Sequence, residues 1–485
     1  MGFCRYIESS TLVQAHPQPE RAIETRSFTM KGGPVWQVLS CVVLFLISIT
    51  WPATPAAGVT MRADLTHVDR DRGFTRSELV TRMLSRSRAR AASSLYRRCP
   101  SFHGHPATAA AAPATSGQAG TEYLIHLAIG SPRPQQVALE LDTGSDLIWT
   151  QCASCIICFD QPSPRFNPSA STTIRTVPCS DPICAKSIDS LCTIRDHTCF
   201  YLDSYVDGTI TVGSVVRDTF TFKGTTTSGD VVVPGLSFGC GFYNKGLFGN
   251  DSGIAGFGHG SRSLPSQLKV GKFSHCFTSM LDPESKSSPV FLGTPDDLTA
   301  HATGKIKSTP MRRNPAIPAN NYYYVSLEGI TVGDKRLPVS PSAFAINNKD
   351  GSGGTIIDSG TAITTFPTAV YELLYKEFVA QVPLPVVANS SEAGGLPLCF
   401  AVASAADADK VRVPRLVFHL EGADMDLPTE NYMALIDGNQ LCLMLNGLEG
   451  DLTTFIGNFQ QQNMHIVYDL DNSKLFFVPA QCDKL

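Results

Sequence analysis

A strand-like run that ends in Asp-Thr/Ser-Gly occurs twice in this chain, with flanking elements in the same order, and this duplication limits its fold more than any other feature. In the first half, YLIHLAIG (residues 123–130) leads to VALELDTGS (137–145) and much later to GIAGFG (253–258). In the second half, YYVSLEGITVG (323–333) leads to GGTIIDSGT (353–361) and then to TFIGNF (454–459). Each half therefore has an apolar strand running into an Asp loop, and later an apolar-apolar-Gly element: Ile254-Ala255-Gly256 and Phe455-Ile456-Gly457. Two related lobes would place the two Asp loops symmetrically.

Between these landmarks, short alternating strands such as VVRDTFTF and KLFFVP are separated by Gly, Asp-Gly and Pro-Asp turns. The 39 Gly, 32 Pro and 9% aromatic residues suit such a chain, because turns consume Gly and Pro while strands use aromatics. The clearest helix is FPTAVYELLYKEFVAQV (366–382), and SELVTRMLSRSRARAASSL (77–95) is helix-capable. The expectation is a mainly β, bilobal architecture with the active site in the cleft between the lobes.

A bare Asp-Ser/Thr-Gly is weak, and the chain holds three. Asp251-Ser252-Gly253 follows no strand and reads as a turn; Asp142-Thr143-Gly144 and Asp358-Ser359-Gly360 stand in matched surroundings. Peptide hydrolysis without a metal or a covalent nucleophile needs one carboxylate to deprotonate water and one carboxylic acid to polarise the carbonyl. Two carboxyl groups held close share a proton and titrate as a unit, which favours activity in acid. Asp142 and Asp358 are the catalytic candidates. Gly144 and Gly360 let the backbone turn around them, and the Ser145 and Thr361 hydroxyls can hydrogen-bond them. No His-Glu-x-x-His occurs, and His259, His275 and His465 are scattered.

The motifs DTGSDLIW, FGCG, DSGT and IGNFQQQNMHIVYDL, within residues 120–485, resemble the pepsin-like aspartic proteases, and specifically their plant nepenthesin-like branch. The resemblance implies a bilobal acid protease fold, aspartic endopeptidase activity on extended peptides, no cofactor and no metal. It also implies a flap tyrosine. Tyr205, in Tyr205-Val206-Asp207-Gly208, is the candidate; Tyr201 is the alternative, and a packed strand tyrosine is the bland reading. Trp149, seven residues after Asp142, would pack beside the flap. The implied disulfides are Cys152–Cys155, Cys158–Cys240, Cys179–Cys199, Cys184–Cys192, Cys276–Cys482 and Cys399–Cys442. A protease-like binding protein or glycosidase inhibitor on the same scaffold is the alternative function; such relatives typically lack an intact Asp motif or the Cys-rich insertion, and this chain keeps both.

The N-terminal region fits a zymogen. Residues 35–49 are apolar, follow Lys31 and precede the small residues ATPAAG (53–58), so a start at Met30 gives a complete signal peptide. An uncleaved signal anchor would instead tie the chain to a membrane. Residues 1–119 carry 14 Lys and Arg against 7 Asp and Glu, which leaves 25 against 36, a net of −11, from Gly120 onward. A domain so charged repels nucleic acid and attracts a basic pro-segment. The organisation read is residues 1–57 extension and signal, 58–119 propeptide and linker, 120–310 N-terminal lobe with a Cys-rich insertion, and 311–485 C-terminal lobe.

Of 15 Cys, Cys4, Cys41 and Cys99 precede residue 120, which leaves an even twelve. In a secreted chain these form disulfides rather than metal or iron-sulfur sites. Asn250 and Asn389 are glycosylation candidates. The protein is expected as a monomer that binds its own propeptide and protein or peptide substrates, located outside the cell or in the vacuole.

Overall fold

The computed structural model describes residues 60–70, 72–96 and 123–485, apart from 186–189, 194, 205–209, 226–228, 247–249, 283–286, 295–298, 300, 318–320, 389–393, 438 and 451–452. The signal-like segment, Cys4, Cys41, Cys99, Tyr205 and Asn389 lie outside the described residues.

The described residues are mainly β, as expected. The first element is β1 (Met61–His67), in which Met61, Ala63 and Leu65 alternate into the core. Helix α1 (Arg76–Tyr96) follows. Its start is a capping box: the Glu78 N–H donates to Thr75 Oγ1 at 3.2 Å, and the Thr75 N–H donates to Glu78 Oε2 at 2.8 Å. Val80, Met83, Leu84 and Ser87, at helical spacing, are its buried face.

The first half continues with β2 (Tyr123–Ile129), β3 (Gln135–Asp142), β4 (Ile148–Gln151), β5 (Gly253–Gly256), β6 (Lys272–Cys276) and β7 (Ser288–Leu292). The second half has β8 (Tyr323–Val325), β9 (Thr355–Ile357), β10 (Thr364–Pro367), α2 (Thr368–Gln381), β11 (Thr454–Ile456), β12 (Met464–Asp469) and β13 (Lys474–Pro479). Pro367 at the N-cap of α2 fits the entry expected there.

A continuous ladder joins the two halves. β2 pairs with β1, β1 with β7, β7 with β6, β6 with β12, and β12 with β13, all antiparallel. The C-terminal strands thus sit in one sheet with strands from the first half, and the expected lobe boundary at 310/311 falls inside the strand Lys307–Arg312, which pairs with both β13 and β8. One large core runs across this sheet.

Six disulfides form among the described residues, and four differ from the implied pairing. Cys152 bonds Cys240 and Cys155 bonds Cys158, in place of Cys152–Cys155 and Cys158–Cys240. The cause is strand register: β4 runs parallel to the strand Asp230–Lys245 with Thr150 opposite Cys240, so Cys152 comes within 5.4 Å of Cys240, Cα to Cα. Cys179 bonds Cys192 and Cys184 bonds Cys199, in place of Cys179–Cys199 and Cys184–Cys192. Burial sorts these four: Cys184 and Cys199 lie inside an apolar cluster with Trp149 and Tyr201, whereas Cys192 is exposed. Cys276–Cys482 and Cys399–Cys442 are bonded as implied.

Candidate active site

The same pair of parallel strands sets each Asp. β3 runs parallel to β5 with Asp142 opposite Gly256, and the Phe257 N–H donates to the Asp142 carbonyl at 2.7 Å. In the second half β9 runs parallel to β11, and the Asp358 N–H donates to the Ile456 carbonyl at 3.1 Å. The glycine closing each apolar-apolar-Gly element permits this approach. A Cβ on Gly256 would strike the backbone of Asp146, and one on Gly457 would sit 2.5 Å from the Ala362 carbonyl oxygen.

The two loops grip each other across the cleft floor. The Thr143 N–H donates to Ser359 Oγ at 3.1 Å, the Ser359 N–H donates to Thr143 Oγ1 at 2.9 Å, and Ser359 Oγ donates to the Leu141 carbonyl at 3.1 Å. These bonds are buried, so neither loop can turn without leaving polar groups unpaired. Asp142 Oδ1 accepts from the Gly144 N–H at 2.9 Å and Oδ2 from the Ser145 hydroxyl. Asp358 Oδ1 accepts from the Gly360 N–H at 2.9 Å and Oδ2 from Thr361 Oγ1 at 2.8 Å. All eight residues expected at the centre, Asp142 to Ser145 and Asp358 to Thr361, thus converge on one buried site. Gly360 is there for space: a Cβ on it would lie 2.7 Å from Asp142 Oδ1.

Two further side chains brace the second loop. Asn458 Nδ2 donates to the Ser359 carbonyl at 2.8 Å, and Gln461 Nε2 donates to the Ile456 carbonyl at 2.9 Å. Both belong to the IGNFQQQNMHIVYDL motif, but nothing in their sequence spacing ties them to the loop.

The group that meets both carboxylates is Arg90, one of ten arginines between Gly58 and Arg98, which the sequence marks only as part of a basic segment. It lies on α1, with its side chain 12% exposed. Nη2 donates to Asp142 Oδ1, and Nε donates to Asp358 Oδ2 at 3.1 Å. Burial opposes the Arg90 charge, but Asp142 and Asp358 outweigh it and hold the guanidinium more firmly protonated than usual.

α1 reaches the cleft because Val80, Met83 and Leu84 pack on Ala362, Ile363, Leu396 and Phe459, and the Ile363 N–H donates to Ser87 Oγ at 2.9 Å. A buried carboxylate ties the helix to the turn after β1: Asp69 accepts from Arg82 Nε and from Arg86 Nη2, each at 2.8 Å. Burial would raise the Asp69 pKa, but Arg86, His67 and Arg82 overcome it and leave the group below its usual value.

Trp149 is fully buried in β4, opposite Ile254, with Phe159 edge-on at 6.5 Å. Tyr201 is a packed strand tyrosine whose hydroxyl meets Thr211 Oγ1 at 2.9 Å, the bland reading for that position. The third triad is a structural turn: Ser252 Oγ accepts from the Ala138 N–H at 3.1 Å and donates to the Ala138 carbonyl at 3.0 Å. His259 packs against Tyr323 with the rings tilted by 45°, and His275 and His465 lie in β6 and β12 of the joining sheet. Asn250 donates to the Val68 carbonyl at 3.1 Å. Among the described residues no cluster of three His, Cys, Asp or Glu is arranged to hold a metal.

The arrangement can do one kind of chemistry well. Two carboxylates in mirrored cradles, each with one oxygen fixed by a hydroxyl, can divide the proton-taking and proton-giving roles at a single reacting centre.

Comparison with known proteins agrees. Residues 123–294 match the family model described as xylanase inhibitor N-terminal, and residues 322–479 match xylanase inhibitor C-terminal. The chain is 40% identical over 419 residues to aspartic proteinase nepenthesin-1 of Nepenthes gracilis, covering 86% of this chain and 89% of that one. It is 37% identical to nepenthesin-2 of the same plant, covering 87% and 90% respectively, and 37% identical to aspartyl protease family protein 2 of Arabidopsis thaliana, covering 75% and 72%. The crystal structure of edgp superposes with a TM-score of 0.61 at 21% identity, over 76% of this chain and 95% of that one. Basic 7S globulin from soybean gives 0.57 at 20% identity, over 75% and 95%. At these identities the structures establish the fold alone.

Proposed function

From the premise that the chain belongs to the plant nepenthesin-type, pepsin-like aspartic proteinases and is an aspartic endopeptidase acting on proteins or peptides, we propose that it is made as a secreted zymogen whose dyad is Asp142 and Asp358. The observation that carries this reading is the Arg90 guanidinium lying against both carboxylates.

In the free enzyme one carboxylate takes a proton from the attacking water while the carboxylic acid partner donates to the scissile carbonyl, giving a tetrahedral diol. Collapse of that intermediate returns a proton to the departing amine. The Thr143–Ser359 grip keeps the two groups in register throughout, and the hydroxyls of Ser145 and Thr361 fix their rotamers. A substrate carbonyl needs the space that Arg90 fills, so the precursor is blocked. Activation then requires α1 to withdraw Arg90, which keeps its charge, from between the two carboxyl groups.

Six disulfides support passage through an oxidising secretory route, with the apoplast or vacuole as destination and a monomer as the working form. A second reading, a protease-like inhibitor or binding protein, draws on the description of the matching family models. The fully formed dyad favours the enzyme.

The test is expression from Met30, acid treatment, and a protein-cleavage assay over roughly pH 3 to 7, with Asp142→Asn beside the wild type. Cleavage that peaks in acid, is blocked by pepstatin and vanishes in the variant is the expected result. A folded, processed protein that cleaves nothing would transfer the assignment to the inhibitor reading.

A further inference from the structure

The pro-segment's strand and helix make different kinds of contact with the rest of the molecule, and β1 is not placed as a removable part. It lies inside the joining sheet with neighbours on both sides: Met61 to Leu65 face Leu292 to Ser288 of β7, and Leu65 to His67 face Ile125 to Tyr123 of β2. Met61 and Arg62 also face Gly224 and Lys223. Met61 and Leu65 are fully buried and Ala63 nearly so, in the same core as Ile125, Val290 and Leu292. Withdrawing the strand would open two sheet edges and three side-chain pockets at once.

Something must fill that slot in the processed enzyme, and the connection from residue 97 to 122 is badly suited to do so. Its sequence is RRCPSFHGHPATAAAAPATSGQAGTE, with Phe102 as the one large apolar residue and no Val, Ile, Leu, Met, Tyr or Trp. Half of it, 13 of 26 residues, is Ala, Gly or Pro. Alanines leave the Met61 and Leu65 pockets empty, and Pro100, Pro106 and Pro113 donate no ladder hydrogen bond.

We propose that the slot between β2 and β7 is a binding site for the chain's own strand, and that a peptide containing Met61–His67 stays bound in the mature enzyme after α1 has left the cleft. The inference rests on the zymogen reading. Main-chain bonds and apolar burial hold the strand, and acid removes neither. At its surface the strand also meets charged and titratable groups, Asp64 with Arg62 and Lys223, and Thr66 Oγ1 with His126 Nε2 at 2.8 Å, and these exposed pairs add little. The turn between strand and helix is exposed at Arg72 and Gly73, with Gly73 at a φ of 69°, and so offers a place for a second cut. The mature protein would then be two chains that no covalent bond joins among the described residues.

The experiment places one recognition sequence for a site-specific protease within residues 105–119 of the full chain and a second at residues 72–74. An added protease then makes both cuts whether or not the enzyme processes itself. After cutting and acidification, the folded protein is isolated by native size exclusion and its components are weighed by mass spectrometry in denaturant. The expected result is a fragment containing Met61–His67 at about one per large chain, with the α1 fragment lost, and a Leu65→Asp version shedding the strand as well. A folded, active peak that contains neither fragment would overturn the proposal, even if the Leu65→Asp chain fails to fold. Failure of the zymogen reading has a separate signature: the uncut chain would digest protein as fast as the cut one.

Discussion

β1 and α1 come from one short stretch of chain, yet different physics holds them. The strand is fastened by ladders on both sides and by side chains in the main core. The helix rests on a small apolar cluster of the second half and is fastened at the cleft by Arg90 and two carboxylates. The first attachment is mainly main-chain and apolar, with His126 beside Thr66 and the Asp64 pairs at its surface; the second includes an ion pair at its centre. On the zymogen proposal, one sequence segment supplies both a retained piece of the fold and a releasable stopper, because main-chain pairing carries no charge and the contact at the cleft is an ion pair.

The strongest way to break this comparison is to put a carboxylate into each element. Leu65→Asp should cost about 4 kcal/mol or more, seen as a melting temperature lower by about 10 °C or as loss of folded protein. Leu84→Asp should leave the melting temperature of the processed enzyme unchanged and give the uncut precursor activity at milder pH. Equal losses in thermal melts of both variants would erase the distinction.

The acid limit of the joining sheet comes next. Burial, with a smaller contribution from His465, lowers the His275 pKa to about 3. The unfolded chain binds a proton near the ordinary value of about 6.5. Between these values the unfolded state holds a proton that the folded state refuses, so this contribution to stability is complete above about pH 6.5 and is lost as pH falls toward 3. At about 1.4 kcal/mol per pH unit the loss amounts to a few kcal/mol. His275→Phe should flatten the fall in melting temperature across that range; an unchanged pH profile would count against it.

Asp69 sharpens the contrast on the helix side. Its folded pKa is depressed, so the tie it makes with Arg82 and Arg86 is present above the ordinary carboxylate pKa and lost as pH falls through the lowered value. Asp69→Asn should weaken the docking of α1 by about 2 kcal/mol and move the onset of precursor activity to higher pH, read from a cleavage time course at stepped pH. The smallest effect is expected from Arg90→Lys, which keeps the charge but replaces the planar fork with a point donor. Its onset should move up by a few tenths of a pH unit, less than for Arg90→Ala.

Much of the site was legible because its signals are local. A strand of apolar residues delivers Asp142 or Asp358 into a loop, the next residues supply the cradle, and the matched copy marks the partner. The stretch 77–95 was legible only as helix-capable, and the structure shows Val80, Met83 and Leu84 as its buried face. The disulfides of the insertion, implied by the family resemblance because spacing alone does not pair them, differ in the structure: the parallel register of β4 decided Cys152, and burial decided Cys184 and Cys199. Tyr205 lies outside the described residues, so its assignment to the flap remains a sequence expectation.

By itself, then, the sequence determined that two Asp loops recur on a β-rich scaffold and that a basic segment precedes an acidic domain. Tertiary structure alone decided that β1 enters the joining sheet and that, of ten arginines, Arg90 is the one that meets both carboxylates. The reason is distance along the chain. Asp142 and Asp358 stand 52 and 268 residues from Arg90, and β1 faces partners more than 200 residues away. Residue type and spacing specify a turn or a cradle, but contacts over such separations are set only once every strand has found its neighbours.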